Sequence, residues 1–226
     1  MTEPTRERTR LYLITPPEVA DPAVFAKTFQ EALSGGDVAC LQVRIKPGGL
    51  IDEAATETVA RAVQPICRER DVALIINDSV VNDDVSLAKR LGADGVHLGA
   101  MDMQVKEARK RLGKRPVIGA TAKNSRHVAM EAGEQGADYV AFGAFFPSET
   151  KADTVPAETE LLTWWQAVME LPCVAIGGIT PQRAKALSLA GADFLAASSA
   201  VWAHPDGPAA AVRAFNAALD EAAESF

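Results

Sequence analysis

The sequence predicts one α/β domain built as a (β/α)8 barrel. Short apolar segments alternate with amphipathic segments along the whole chain, which is typical of parallel strands joined by helices. Eight such units fit into 226 residues, a length that one barrel domain fills. The competing architecture is an open doubly wound sheet, but no G-x-G-x-x-G follows the first strand and no P-loop motif is present.

The strands are predicted at eight short runs that are apolar throughout, as expected for parallel strands covered on both faces. Successive runs begin 21 to 34 residues apart, which leaves room for one helix between each pair. The predicted strands occupy residues 11–15, 38–44, 72–77, 94–98, 116–120, 138–143, 172–177 and 193–198.

The segments between the strands carry apolar residues at helical spacing and are predicted as helices. They cover residues 24–34, 52–70, 82–91, 103–112, 125–135, 159–169, 181–190 and 207–223. The tripeptide Gly-Ala-Asp occurs three times, at Gly92, Gly136 and Gly191, each time between a predicted helix and the next strand. Glycine can adopt the left-handed conformation that ends a helix, so this repeat supports the alternating arrangement.

Composition excludes several classes of protein. A formal net charge of −7 argues against general binding to nucleic acid or to anionic membranes. The cysteines Cys40, Cys67 and Cys173 lie far apart, without metal-ligand spacing, and indicate a reduced, cytoplasmic setting. No apolar run approaches the ~18 residues of a membrane span. Residues 1–10 are predicted to form a flexible polar arm before a single barrel domain over 11–226, and the sequence leaves a homo-oligomer open.

The end of the second predicted strand carries a candidate anion site. The active sites of (β/α)8 barrels lie at the carboxyl ends of the strands. Gln42, Arg44 and Lys46 alternate along the chain there, so their side chains share one face. Two cations and an amide on one face favour an anionic ligand. The alternative is a solvated strand end, which Arg and Lys commonly form.

Two carboxylates at neighbouring strand ends form a candidate metal site. Asn77 and Asp78 end the third predicted strand, and Asp102 follows the fourth. Carboxylates without a nearby His or Cys suit a hard cation such as Mg²⁺, which typically uses one or two carboxylates together with substrate phosphates. The alternatives are that Asp78 is a turn residue and that Asp102 is the N-cap of the helix after it.

Three later loops suit phosphate groups. Ser148, Thr150 and Lys151 lie in the long loop after the sixth strand and would bind an oxyanion or a developing negative charge. Gly178, after the seventh strand, and the pair 198–199, after the eighth, occupy the usual phosphate position of barrels. The alternatives are a polar surface loop and tight packing at the barrel rim. No Ser/His/Asp constellation is visible, and His97 is interpreted as a core or rim residue.

Taken together, these segments resemble the thiamine phosphate synthase family. The resemblance runs from the second strand to the eighth, so it covers nearly the whole chain. The matching stretches are residues 42–46, 77–78, 95–99 with Asp102, 142–151, 175–179 and 198–199.

The resemblance implies a role for each candidate residue. Hydroxymethylpyrimidine diphosphate would be bound by Gln42, Arg44, Lys46, Asn77, Thr121 and Lys151. Mg²⁺ on its diphosphate would be held by Asp78 and Asp102. The thiazole phosphate would be bound by Ser148, Thr150, Gly178, Ser198 and Ser199.

The chain departs from the family pattern at four positions. Ala100 stands where the family usually has Gln, which removes an amide. Thr121 replaces the usual Ser and Ser148 the usual Thr, and both changes keep a hydroxyl. Ala144 stands where the related thiazole tautomerases have a catalytic His. Because alanine cannot transfer a proton, the tautomerase reaction is disfavoured.

The resemblance implies a Mg²⁺-dependent transferase that joins hydroxymethylpyrimidine diphosphate to thiazole phosphate. Arg44, Lys46 and Lys151 would neutralise the charge that develops on the departing diphosphate, and the thiazole nitrogen would then attack the pyrimidine cation. The products would be thiamine phosphate and diphosphate. Two alternatives remain open: a thiazole tautomerase-like relative, and a barrel that binds phosphates or thiamine precursors without catalysis.

Overall fold

A computed structural model describes residues 6–77, 84–147 and 156–225. Its eight parallel strands pair in sequence order and close into a barrel, which confirms the predicted (β/α)8, or TIM barrel, architecture. The strands are β1 Arg10–Ile14, β2 Cys40–Val43, β3 Ala73–Asn77, β4 Gly95–Leu98, β5 Val117–Lys123, β6 Tyr139–Phe142, β7 Cys173–Ile176 and β8 Phe194–Ala197.

Helices follow the strands, and the predicted helices end within two residues of their observed bounds. They are α1 Pro22–Leu33, α2 Glu53–Glu69, α3 Asp84–Leu91, α4 Val105–Leu112, α5 Arg126–Glu134, α6 Glu160–Val168, α7 Pro181–Ala190, α8 Ser199–Trp202 and α9 Pro208–Ala223. The sequence did not predict the short helix α8 or a 3-10 turn over Pro47–Gly49. In the part of the chain that the structure describes, no helix has the length and hydropathy needed to cross a membrane.

Apolar side chains fill two separate layers, because alternate residues of a strand point to opposite faces. The outer layer packs the strands against the helices and includes Leu41, Phe142 and Trp165. The inner layer fills the barrel and contains Tyr12, Tyr139 and other residues at alternate strand positions. This division explains why the strands read as apolar throughout: both of their faces are buried.

The Gly-Ala-Asp repeat has a structural role at the amino-terminal end of the barrel. In each copy the aspartate Oδ2 accepts a hydrogen bond at 2.7 Å from a backbone N–H near the start of the preceding strand. Asp94 accepts from Leu74, Asp138 from Ile118, and Asp193 from Cys173. The repeat therefore ties β4, β6 and β8 to β3, β5 and β7.

Residues 6–10 are held against the barrel, whereas the sequence analysis expected a flexible arm over 1–10. The Arg6 guanidinium donates to the carbonyls of Ser188 and Ala192 at 2.7 and 2.9 Å. Thr9 is fully buried and donates to the Ala192 carbonyl at 2.6 Å. Arg10 is already part of β1. The polar side chains that suggested a solvated arm are the groups that attach this segment to α7 and to the turn before β8.

Candidate active site

The carboxyl end of the barrel gathers most of the candidate residues. Gln42 lies on β2, Asn77 ends β3, and Thr121 lies near the end of β5. Arg44, Lys46, Asp102, Gly178, Ser198 and Ser199 follow strands β2, β4, β7 and β8. Asp78, Ser148, Thr150 and Lys151 lie outside the described residues, so their predicted roles stay predictions.

Hydrogen bonds hold the backbone of Arg44 in position, whereas its side chain has no hydrogen-bond or ion-pair partner among the described residues. The Arg44 N–H donates to Thr15 Oγ1 at 2.9 Å, and that hydroxyl donates back to the Arg44 carbonyl at 3.2 Å. Its half-buried guanidinium forms no ion pair or hydrogen bond with any described residue. Burial lowers the pKa of this guanidinium, and the negative charge of Asp102 opposes the shift. A half-buried cation that the fold leaves unpaired is suited to bind an anion.

Lys46 continues the same side of the site. Its N–H donates to the Pro17 carbonyl at 2.9 Å, which ties the chain after β2 to the segment after β1. The 3-10 turn begins with the next residue, Pro47. Lys46 and Arg44 are both partly exposed. Two cationic side chains therefore follow one strand at the barrel mouth.

Asp102 has one carboxylate oxygen engaged and one available. Its Oδ2 accepts the Gly99 N–H at 2.7 Å, and a Cβ at Gly99 would come within 2.6 Å of that oxygen. Its Oδ1 has no hydrogen-bond partner in the described ranges. The N-cap of α4 is Gln104, so Asp102 does not cap that helix, which was one alternative for its role.

A chain of hydrogen bonds crosses the barrel interior between two predicted site residues. Gln42 Nε2 donates to the Tyr12 hydroxyl at 2.7 Å, which lies 2.9 Å from the Tyr139 hydroxyl. The Tyr139 hydroxyl lies 2.9 Å from His97 Nδ1, and His97 Nε2 lies 2.9 Å from Thr121 Oγ1. Burial raises the pKa of Tyr12 and of Tyr139 well above the usual value, so both remain neutral hydroxyls.

Tyr12 and Tyr139 were not predicted as site residues, and His97 was predicted only as a core or rim residue. All three are buried, so the burial of His97 agrees with that interpretation. A signal was present in the sequence: a Tyr within a strand that is buried on both faces must find a partner for its hydroxyl. What the sequence did not show is that these partners lie on five different strands.

The loops after β7 and β8 present backbone donors. The N–H groups of Gly178 and Ser199 donate to no acceptor among the described residues. Gly178 has a φ of 60°, and a Cβ there would lie 2.5 Å from the Pro147 carbonyl oxygen. The Ser198 hydroxyl donates to the Thr15 carbonyl at 3.2 Å, so its proton serves the fold. Free N–H groups at a glycine turn and at a helix start suit a phosphate.

The opposite end of the barrel carries a groove of about 720 Å³ with different chemistry. Most of its charged residues are paired with one another: Arg8 Nε donates to Asp220 at 2.6 Å, and the Arg8 guanidinium lies 3.7 Å from the Asp37 carboxylate. Such pairs leave little unsatisfied charge for a ligand. The candidate active site is therefore the carboxyl end.

Comparisons with known proteins identify the family of this chain. A sequence model of the family described as thiamine monophosphate synthase matches residues 11–201. The chain is 59% identical over 223 residues to the thiamine-phosphate synthase of Hyphomonas neptunium, covering 98% of this chain and 99% of that protein. It is 54% identical over 210 residues to the thiamine-phosphate synthase of Rhodospirillum centenum, covering 92% and 96%.

A solved structure is similar over the same length. The thiamine phosphate pyrophosphorylase from Pyrococcus furiosus superposes with a TM-score of 0.78 at 29% sequence identity. The match covers 94% of this chain and 96% of that one. The likeness therefore extends over the whole barrel and is not confined to its mouth.

Proposed function

The chain belongs to the thiamine monophosphate synthase family, and on this basis we propose that it is a transferase that makes thiamine phosphate. Its substrates would be hydroxymethylpyrimidine diphosphate and thiazole phosphate. The observation that carries the proposal is Arg44, a half-buried guanidinium at the carboxyl end of the barrel that has no counter-ion among the described residues. A substrate diphosphate supplies the missing negative charge.

The cationic residues act on the leaving group. The bond between the pyrimidine methylene carbon and the diphosphate oxygen breaks, and its electron pair leaves with the diphosphate. The positive charges of Arg44 and Lys46 neutralise the charge that accumulates there. Lys151, which lies outside the described residues, is predicted to contribute a third. Such stabilisation acts most strongly as the charge develops, so it lowers the activation barrier for ionisation of the bound substrate.

The second substrate is held by its phosphate. The free N–H groups of Gly178 and Ser199 would bind that phosphate, while Ser148 and Thr150 are predicted to add hydroxyls. Anchoring the phosphate keeps the thiazole nitrogen beside the methylene carbon, where its lone pair forms the new C–N bond. Holding two reactants together in this way replaces much of the entropic cost of their encounter. No protein nucleophile is required.

The residues present fit a magnesium ion. Asp102 keeps one carboxylate oxygen available, and carboxylate oxygens are the protein ligands that Mg²⁺ prefers. Among the described residues there is no cluster of three or more His, Cys, Asp or Glu side chains. Mg²⁺ in proteins is typically held by one or two carboxylates together with substrate phosphates. Asp102 and Asp78 would hold Mg²⁺, which supplies positive charge to the diphosphate when bound.

Product analysis tests the proposal against its alternatives. Purified protein is incubated with both substrates and Mg²⁺, and thiamine phosphate and diphosphate are quantified together. We expect the two products to appear in equal amounts and over many turnovers. A tautomerase-like protein would convert a thiazole substrate without releasing diphosphate. A protein that only binds would give no product beyond the amount of protein present, and either result would overturn the proposal.

A further inference from the structure

The chain of hydrogen bonds inside the barrel can run in only one direction. Gln42 Nε2 is a donor, so the Tyr12 hydroxyl accepts from it. The Tyr12 hydroxyl proton is buried and needs an acceptor, and the Tyr139 oxygen is the acceptor within reach among the described residues, so we assign Tyr12 as the donor to Tyr139. By the same reasoning Tyr139 donates to His97 Nδ1. Each link fixes the direction of the next.

This direction determines the tautomer of His97. Because Nδ1 accepts from Tyr139, the ring proton lies on Nε2, which then donates to Thr121 Oγ1. The His97 and Tyr139 rings also stack, with centroids 5.6 Å apart and planes 24° from parallel. The imidazole is thus oriented by the hydrogen bonds to Tyr139 and Thr121 and by a ring contact.

The two ends of the chain have opposite polarity. Gln42 Oε1 has no hydrogen-bond partner among the described residues. It is not fully buried either, so it can accept a hydrogen bond from a ligand. Thr121 accepts from His97, and its own proton remains a donor in a partly exposed side chain. The site therefore offers one defined acceptor and one defined donor.

Tyr139 occupies the middle of the chain because the barrel leaves space for it. A Cβ at Gly119, on the neighbouring strand β5, would overlap Tyr139 Cζ and its hydroxyl oxygen. Only glycine at this position lets the Tyr139 hydroxyl reach between Tyr12 and His97.

We propose that Tyr139 is a positioning residue for substrate specificity: it fixes the polarity of this chain so that Gln42 accepts from an amino group on the substrate ring. The inference rests on the proposed function, whose pyrimidine carries an amino group. An oxo group in its place is also an acceptor, so it could form no hydrogen bond with Gln42 Oε1. Unpaired buried acceptors are costly, so the oxo ring is rejected.

Tyr139→Phe tests the proposal because it keeps the ring and removes the hydroxyl. Without Tyr139 as an acceptor, the Tyr12 hydroxyl is free to donate to Gln42 Oε1, and the amide can then turn its NH₂ group toward the ligand. The measurement is the affinity, by isothermal titration calorimetry, for two ligands that lack the diphosphate group: the hydroxymethyl aminopyrimidine and the analogue with an oxo group in place of its amino group. We expect the preference for the amino ring to fall about tenfold or more, the scale of one enforced hydrogen bond.

The tautomer of His97 supplies a readout that packing alone would not change. Nitrogen NMR of labelled histidines in the wild type is expected to show His97 protonated on Nε2 and unprotonated on Nδ1. Thr58→Val removes an exposed hydroxyl of α2, outside the site, and serves as the control, with an unchanged ring preference. If Tyr139→Phe does not fold, Tyr12→Phe breaks the same chain one link earlier and takes its place.

The outcomes separate this inference from the proposed function. A lost ring preference in Tyr139→Phe, retained in Thr58→Val, supports the inference. An Nδ1-protonated His97 in the wild type, or an unchanged preference in the folded Tyr139→Phe and Tyr12→Phe variants, overturns it even if thiamine phosphate is formed. A wild type that binds neither ring and forms no thiamine phosphate overturns the proposed function, and the inference with it.

Discussion

At the scale of single residues, the carboxyl end of the barrel keeps charge unpaired. Arg44 is held by its backbone through Thr15, and its guanidinium has no partner in the part of the chain that the structure describes. Burying an unpaired cation costs free energy, as the lowered pKa of Arg44 indicates. An anion bound beside Arg44 would offset this cost.

Arg44→Ala is therefore expected to affect activity far more than stability. We expect kcat/KM to fall about 10²- to 10³-fold, the scale for one group that stabilises transition-state charge. Arg44→Lys should recover only part of this loss, because lysine lacks the forked geometry of arginine. The melting temperature should stay the same or rise, since no hydrogen bond of the side chain is lost.

Steady-state kinetics and a melting curve check this prediction. The matched control is Arg213→Ala, which removes an exposed arginine from the groove at the opposite end of the barrel. Its kcat/KM should equal that of the wild type. Wild-type kinetics in a folded Arg44→Ala variant would show that the unpaired guanidinium does not bind substrate.

At the scale of elements, each Gly-Ala-Asp turn connects one βα unit to the next. Asp138 illustrates this: its carboxylate accepts from the Ile118 N–H at the start of β5 and also pairs with Arg109 of α4. Arg109 donates in addition to the Gly136 and Pro116 carbonyls. Asp138, which lies just before β6, thus connects that strand to the start of β5 and to helix α4.

Asp138→Ala is expected to lower the free energy of unfolding by about 1–3 kcal/mol, because it leaves the Ile118 N–H without its acceptor. Asp138→Asn keeps an acceptor oxygen and should cost less. Urea unfolding measures both values. Asp206→Ala, at an exposed position, is the control and should change stability by at most about 0.5 kcal/mol. Equal stability of Asp138→Ala and the control would contradict the proposed role of the repeat.

Asp37 gives the amino-terminal attachment a pH dependence. The hydrogen bonds from Arg10 hold the pKa of the Asp37 carboxyl below its usual value of 3.8. A lowered pKa in the folded state stabilises the fold above the unfolded pKa, and this stability is lost as the pH falls through the folded value. Because the pair is well exposed, its contribution at neutral pH is at most about 1 kcal/mol.

Asp37→Asn is expected to remove this contribution. Urea unfolding should show the variant less stable than the wild type at about pH 7, with a difference that shrinks toward zero below about pH 3. Asp206→Asn again serves as the control. A difference that grows as the pH falls would contradict the assigned sign.

At the scale of the whole molecule, periodicity was sufficient to predict the barrel. Strands buried on both faces and helices with one apolar face leave a distinct pattern, so the order of elements could be predicted from local sequence. Helix α8 was missed because a four-residue helix is too short to show a period. The attachment of residues 6–10 was missed because it depends on contacts with residues more than 180 positions away.

The candidate residues that the sequence singled out lie near or after the carboxyl ends of strands, whereas the residues that it missed lie further inside strands. Gln42, Arg44 and Asp102 stand out as polar residues beside apolar runs. Tyr12 and Tyr139 lie inside such runs, and their hydroxyls meet only when the barrel closes. A hydrogen bond between side chains of β1 and β6 leaves no pattern in the local sequence, so it cannot be predicted until the fold is known.

The central claim is that this barrel displaces diphosphate from a pyrimidine with the help of Mg²⁺. The most direct measurement is the rate of thiamine phosphate formation from both substrates at saturation, in Mg²⁺, after chelation with EDTA, and after Mg²⁺ is restored. We predict turnover in Mg²⁺, its loss on chelation and its full recovery. The same rate in EDTA would contradict the role of the metal, and the absence of product in Mg²⁺ would contradict the synthase itself.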